Sequence, residues 1–326
     1  MSTTSKSPRK VLLVAYHVGK ECLRPYAHRC SPRKFTQPQL FACLVLKEFL
    51  NLDYRGLAGL LADTPELCRA IGLETVPHFT TFQKAARRLL RCERFKRMLG
   101  QTVGLAIAGK LMKHRVKLAA MDGTGLESHH ASSYYVKRRA HGGKTWQKTT
   151  YIRFPKVGMV CDCASHMILA VVPGRGPGPD ITHFKQALDQ ALQHVRINDL
   201  LADAGYDSER SHVYARQHRH VRTHIPALAG RPTRKLPTGR YRRMMRQRLN
   251  KTKYGQRWQI ETVNSMLKRL LGSALRARTY WSQCREISLR ALSLNIMILL
   301  RICTEVFYRA GRPRFMATGC ICGPRG

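Results

Sequence analysis

Acidic residues are scarce in this chain. Nineteen Asp and Glu stand against 58 Lys and Arg over 326 residues, a net charge of +39. A folded protein this basic repels itself, and a polyanionic partner is the simplest relief. Long apolar runs are missing too: Val11–Tyr16 and Ala291–Leu300 fall far short of the about 20 residues that cross a bilayer. The N-terminus shows no apolar core ahead of a small-residue cleavage site, so no secretory signal is read. The eleven cysteines include no Cys-x2-Cys pair, only Cys161/Cys163 and Cys320/Cys322. A zinc site needs two such ligand sets at defined spacing, and an odd number of thiols does not suggest a disulfide framework. These absences point to an intracellular, soluble protein with no membrane partner.

The basic residues suggest what the partner is. Lys and Arg on phosphates release counterions and supply most non-specific affinity for nucleic acid. Two stretches are entirely free of acid: Arg231–Arg257 with eleven Lys/Arg, and His129–Lys156 with seven, interleaved with Tyr134, Tyr135, Trp146 and Tyr151. Aromatics among cations can stack on unpaired bases. Lys137, Arg138, Lys156, Arg242, Arg243 and Arg246 are therefore candidate DNA contacts. The adjacent His129 and His130 would point opposite ways on a strand, so a transition-metal site is not read from them.

Hydrophobic periodicity divides the chain. Residues 1–10 are polar and expected to be a disordered tail. From 11 to 113 the pattern is helical, with segments at Gln39–Leu50, Tyr54–Leu61, Pro65–Ile71 and Thr80–Gly100, and Thr36, Asp53 and Thr64 as starts. At Val116 the period changes to that of strands. Val116–Met121 halts at Asp122-Gly123, Tyr151–Cys163 and His166–Val172 read as an antiparallel pair, and Asp199–Ala204 carries Asp203 near its end. Between them lie the breaker Pro173–Pro179 (PGRGPGP) and a helix over Asp180–Val195, with Asp180 as its N-cap. Ser208–His218 reads as helix, Val221–Pro226 as strand and Tyr254–Gly272 as a final helix. This order predicts an α/β fold of ribonuclease-H-like plan, a mixed sheet with flanking helices over 114–310, preceded by an all-helical domain and followed by a tail over 311–326.

The few acids are informative because they are few. Asp122 (KLAAMDGTG) and Asp203 (DLLADAGYD) each stand at the polar end of an apolar run, where two carboxylates can converge. Such hard oxygen donors suit Mg²⁺, and two ions about 4 Å apart can serve both oxygens of a phosphodiester displacement. On the last helix, Tyr254, Arg257, Glu261 and Lys268 share one face opposite Ile260, Val263, Met266, Leu267 and Leu270. A solvated face with an Arg257–Glu261 pair would give the same wheel. Glu127, Asp162, Asp180 and Asp207 are further acids near these blocks.

The spacing Tyr-x2-Arg-x3-Glu-x6-Lys over Tyr254, Arg257, Glu261 and Lys268 resembles the signature of a large group of bacterial insertion-sequence transposases of the DDE type. The blocks MDGTGLES and LADAGYDSE, the N-terminal FTQPQLFACLVLKEFLNLDYRGLAGLL and VPHFTTFQK are similar to that group as well. The resemblance runs from Phe35 to Leu300. It implies that Asp122, Asp203 and Glu261 hold Mg²⁺ or Mn²⁺, two ions in all. It implies that Tyr254, Arg257 and Lys268 hold phosphates of the transposon end. It further implies binding of terminal inverted repeats and target DNA, a homodimer on DNA, and a prokaryotic, nucleoid-associated place in the cytoplasm. One departure stands out. Asp203 and Glu261 are only 58 residues apart (261 − 203), which leaves no room for the long β-rich insertion that assists hairpin-forming excision in some relatives.

Two other functions fit parts of the sequence. A covalent tyrosine recombinase would need a nucleophilic Tyr with an Arg/His cluster, for which His212, Arg216, His220 and Arg222 offer material. A decayed, non-catalytic DNA-binding protein would need only the basic surface.

Overall fold

A computed structural model of the chain describes residues 6–128, 133–139, 146–228 and 236–309. His129, His130, residues 229–235 and the pair Cys320/Cys322 lie outside the described residues.

Six helices open the chain: α1 (Pro8–Cys22), α2 (Gln37–Phe49), α3 (Tyr54–Asp63), α4 (Pro65–Ala70), α5 (Phe79–Leu89) and α6 (Cys92–Ala108). Local chemistry starts several of them. Thr36 and Gln39 form a reciprocal capping box at α2, and Asp53 accepts from the Gly56 N–H at α3. The single helix expected over Thr80–Gly100 is broken between α5 and α6 at Leu90 and Arg91, where Arg91 takes up an extended conformation. Thr64 caps nothing with its side chain, although α4 does begin after it.

The strands follow: β1 (Arg115–Gly125), β2 (Glu127–Ser128), β3 (Ser133–Arg139), β4 (Trp146–Ile152), β5 (Phe154–Asp162) and β6 (Ile168–Gly176). After a 3₁₀ turn at Asp180–His183 come α7 (Phe184–Leu192), β7 (Arg196–Ala202), α8 (Glu209–Val213) with a π-helical turn to His218, and β8 (Arg222–His224). Then come α9 (Arg240–Arg248), α10 (Lys251–Gly255), α11 (Trp258–Leu271), β9 (Ala274–Leu275) and α12 (Tyr280–Arg309). The central sheet has the order β6-β5-β1-β7-β8. β1 runs antiparallel to β5 and parallel to β7, and β7 runs parallel to β8. The expected mixed sheet with flanking helices is present.

Several boundaries differ from expectation. β1 does not stop before Asp122 but continues to Gly125, because β5 pairs with it from Ala119 to Gly125, Asp122 opposite Met159. What ends at Met121 is the parallel pairing with β7. The strand expected from Tyr151 is two strands, since β3 and β4 form a separate antiparallel hairpin ending at Ile152. Pro179, not Asp180, occupies the cap position before the 3₁₀ turn, and no side chain caps it. The helix read over Tyr254–Gly272 is jointed at Gln256–Arg257, with Arg257 as the residue before α11.

The apolar run Ala291–Leu300 lies in the middle of α12 and is buried throughout, including Ser293 and Asn295. This middle stretch of α12 is apolar nearly all round because it is enclosed: the helix packs on α1, α2 and α6 and also on β5 and β6. One apolar core therefore runs from the opening helices into the sheet. Among the described residues no helix is long and apolar enough to cross a membrane.

β6 is an edge strand, and its free backbone groups would template pairing with another chain. Two buried amides close that edge. Asn295 accepts from the Ile168 N–H at 2.8 Å and donates to its carbonyl at 2.9 Å, while Gln190 of α7 accepts from the Val171 N–H at 3.2 Å. Asn295 also donates to Thr102 of α6, so one side chain joins the opening helices, α12 and the sheet.

Candidate active site

Strand register brings the first two acids together. Met121 is the register partner of Ala202 across parallel strands, so Asp122 and Asp203 leave that pair side by side. Asp203 then starts the turn Ala204–Tyr206, where its Oδ1 accepts from the Ala204 N–H at 2.7 Å. Asp122 is half-buried, and Asp203 is exposed.

α11 is docked against β1 by a bond that the sequence did not reveal. Asn264 is buried and donates from Nδ2 to Asp122 Oδ2 at 3.1 Å. Glu261 lies three residues before Asn264, about one helical turn, and so presents its carboxylate on the same side. Arg257 Nη2 meets Glu261 Oε1 at 2.5 Å, the i,i+4 pair foreseen as the alternative to a functional face. That pair does not exclude a site. The Arg257 guanidinium is raised against the effect of its own burial, by Glu261, Tyr254, Asp203 and Asp122. The Tyr254 hydroxyl is raised by burial and, beyond it, by Asp203 and Glu261 against Arg257. One electrostatic neighbourhood therefore holds Asp122, Asp203, Glu261, Arg257 and Tyr254. Lys268 lies further along α11 and is half-buried.

Burial pushes the Asp122 carboxyl up to about 6. The Gly123 N–H and Arg257 oppose this, while Asp180 and Asp203 add to it. Asp180 is thus part of this neighbourhood rather than a helix cap. Its Oδ1 lies 2.7 Å from Lys156 Nζ, and Lys156, almost fully buried, also donates to the Gly178 carbonyl. Lys156 was expected on the DNA path; it points instead into the sheet end. Among the described residues no three His, Cys, Asp or Glu side chains stand close enough to share one ion. Arg257 holds Glu261, and Lys156 holds Asp180. The donor chemistry nevertheless fits a hard divalent cation: carboxylate oxygens, one of them, on Asp122, raised by burial and by the neighbouring acids Asp180 and Asp203.

The remaining acids anchor the basic segment. Buried Asp199 pairs with Arg222, His224 and Lys253 of α10. Asp207 holds Arg242 at 2.7 Å and accepts from the Leu228 N–H, and Glu209 accepts from the N–H groups of Tyr241 and Arg242 at the start of α9. Arg242 thus faces inward as an anchor, whereas Arg243 and Arg246 are exposed. Lys137 and Arg138 lie on β3. Asp162 closes the β5–β6 turn at the C-terminal end of β5 by accepting from Ser165, and Glu127 sits on the short strand β2. His212 and Arg216 both bond Thr223, and Arg222 bonds Asp199, so three of the residues a covalent recombinase would have used serve the scaffold.

The sequence profile described as Transposase DDE domain matches residues 116–296, from the second residue of β1 into α12. The chain belongs to the DDE transposase family. No protein of established annotation matches it at a significant level. The matched span contains Asp122, Asp203, Glu261 and every group described around them.

Asn264 and Tyr206 were missed by sequence reasoning, and Asp180, counted there among the acids near the site, was read as a helix cap. Asn264 could have been found, since it shares the face of Glu261. Asp180 was misread because a helix start after PGRGPGP has an ordinary explanation.

Proposed function

We propose that this transposase cuts DNA at the ends of its element and joins the freed 3′-hydroxyl to target DNA, with Asp122, Asp203 and Glu261 as the acids that hold divalent metal. The observation that carries the reading is the register of β1 with β7, which sets Asp122 beside Asp203, together with the Asn264–Asp122 bond that docks the helix of Glu261 there. The sheet order supports a ribonuclease-H-like plan for residues 114–310, and the helices over 11–113 are assigned to recognition of the terminal repeats. Two Mg²⁺ or Mn²⁺ ions, when bound, would supply an activated water and charge for the departing oxygen.

The protein's own groups prepare the site. Arg257, paired with Glu261 in the free chain, exchanges that partner for a DNA phosphate and so frees the carboxylate. Tyr254 and Lys268 donate to neighbouring phosphates, as hydroxyl and ammonium groups commonly do. Arg243 and Arg246 on the exposed side of α9, with Lys137 and Arg138 on β3, extend the path for the duplex. Asn264 keeps Asp122 oriented while the helix adjusts. The family pattern implies a dimer, since two ends must be joined. Between Asp203 and Glu261 the described residues hold one short strand (β8) and three helices (α8, α9 and α10) but no β-rich insertion, which favours excision without a hairpin.

The test uses a DNA fragment carrying the inverted repeats that flank the gene, incubated with the full chain in Mg²⁺ or in chelator. Nicking at the repeat boundary, and joined products when target DNA is added, are expected only with Mg²⁺. Cleavage unchanged by chelator would refute the metal mechanism.

A further inference from the structure

Asp180 lies against the backbone that follows Asp122. A Cβ built on Gly123 would overlap Asp180 Oδ1 and stand 3.4 Å from Lys156 Cε, so the carboxylate fits there because residue 123 is glycine. Its other oxygen faces Gly205, two residues after Asp203, at 3.7 Å from a Cβ built on that glycine. Asp180 thus sits between the two segments that carry Asp122 and Asp203. It reaches this place from a different part of the chain, the turn after β6. Three carboxylates so placed are matched by one buried ammonium, Lys156, at 2.7 Å from Asp180.

A second, independent observation concerns Tyr206. It is wholly buried, its hydroxyl has no hydrogen-bond partner among the described residues, and the charges that act on it are those of Asp180, Asp122 and Asp203. Buried hydroxyls are nearly always satisfied by protein or ordered solvent. This one is unpartnered and lies in the field of the same three acids.

We propose that Asp180 is a fourth carboxylate of the cation site, completing the oxygen set of Asp122 and Asp203, with the Tyr206 hydroxyl as its outer hydrogen-bonding partner. The proposal rests on the reading of Asp122 and Asp203 as cation ligands. Lys156 then balances Asp180 in the free chain, much as Arg257 balances Glu261. Each basic partner holds an acid apart in the free chain, where among the described residues no three acids converge on one point.

The full chain without DNA would be titrated with Mn²⁺, and the free ion followed by its electron paramagnetic resonance signal. Wild type would be compared with Asp180→Asn, Gly123→Ala and Asp203→Asn, each checked by circular dichroism. Gly123→Ala displaces the Asp180 carboxylate without removing it, and so carries the test if Asp180→Asn fails to fold. Expected is a loss of Mn²⁺ affinity of about 10- to 100-fold for both, with the fold retained. Wild-type affinity in Asp180→Asn and Gly123→Ala, but not in Asp203→Asn, would reduce Asp180 to a structural ion pair and leave the three-acid reading standing. Wild-type affinity in all three would overturn both.

Discussion

Asp122→Asn is expected to lower DNA cleavage by about 10²- to 10³-fold or more, the order lost when a group serving transition-state charge is removed, and at the same time to stabilise the metal-free protein. The two effects have one cause. Burial lifts the Asp122 carboxyl to about 6, against an ordinary value of 3.8, and Asp180 and Asp203 add their repulsion. A carboxyl raised on folding places no penalty on the native state below pH 3.8, an increasing one up to about pH 6, and a constant one above. Two units correspond to about 3 kcal/mol; screening at a half-exposed group reduces this to about 1–2 kcal/mol. Asparagine keeps the acceptor for Asn264 and loses the charge. In chelator, Asp122→Asn should therefore melt higher than wild type at pH 7.5, and the gap should close near pH 4. Adding Mn²⁺ should raise the wild-type melting temperature and leave the variant where it was. An unchanged melting temperature at pH 7.5 would mean that Asp122 is not a penalised charge.

Arg290→Met is expected to cost about 3–5 kcal/mol of folding stability, the range for breaking a buried ion pair on one side. Arg290 is 3% exposed and ties together parts of the fold far apart in sequence. Its guanidinium donates to the carbonyls of Gly272 and Ala274, just after α11, and to Glu286 one turn earlier in α12. Its Nε lies 3.5 Å from Glu48 of α2, which also pairs with Lys47. Glu286 in turn accepts from the N–H groups of Arg276 and Ala277, fixing the loop into α12. Methionine would fill much of the volume but leave Glu48 and Glu286 short of charge and two carbonyls short of donors. Denaturant unfolding would measure the loss. Because the helix of Glu261 ends at this knot, the variant should also need more Mn²⁺ for half-maximal cleavage under conditions where it is folded. A loss below about 1 kcal/mol, the level of a surface pair, would show that the knot is not buried in solution.

Much of this architecture was legible in the chain, for a physical reason. Strand runs that end in an acid and a glycine, and a helix with a clean apolar stripe, are local patterns. They identified β1, β7 and α11, with Asp122 and Glu261 on the first and last and Asp203 just after β7. Partnerships between distant residues were not legible. That Asn264 reaches Asp122, that Asp180 lies over Gly123 and that Asn295 closes the edge of β6 depends on register and crossover geometry, which no local pattern encodes. Charge also misled: Lys156 and Arg242 counted as cations for DNA, yet each is held by an acid, Asp180 or Asp207. The helix break before α11 falls at Gln256 and Arg257, ordinary helix formers, so that Gly255 just ahead of them was its one local sign; the joint lets Tyr254 leave the helical wheel and still share a neighbourhood with Arg257 and Asp203.

The central claim, that these acids bind the metal that cuts DNA, is tested most directly by changing which metal can serve. Asp203→Cys exchanges a hard oxygen for a soft sulfur, which Mg²⁺ binds poorly and Mn²⁺ accepts better. Cleavage of repeat-end DNA by this variant is predicted to be lost in Mg²⁺ and to return in part in Mn²⁺, while wild type works in both. Equal cleavage by the variant in the two ions would contradict direct metal binding by Asp203.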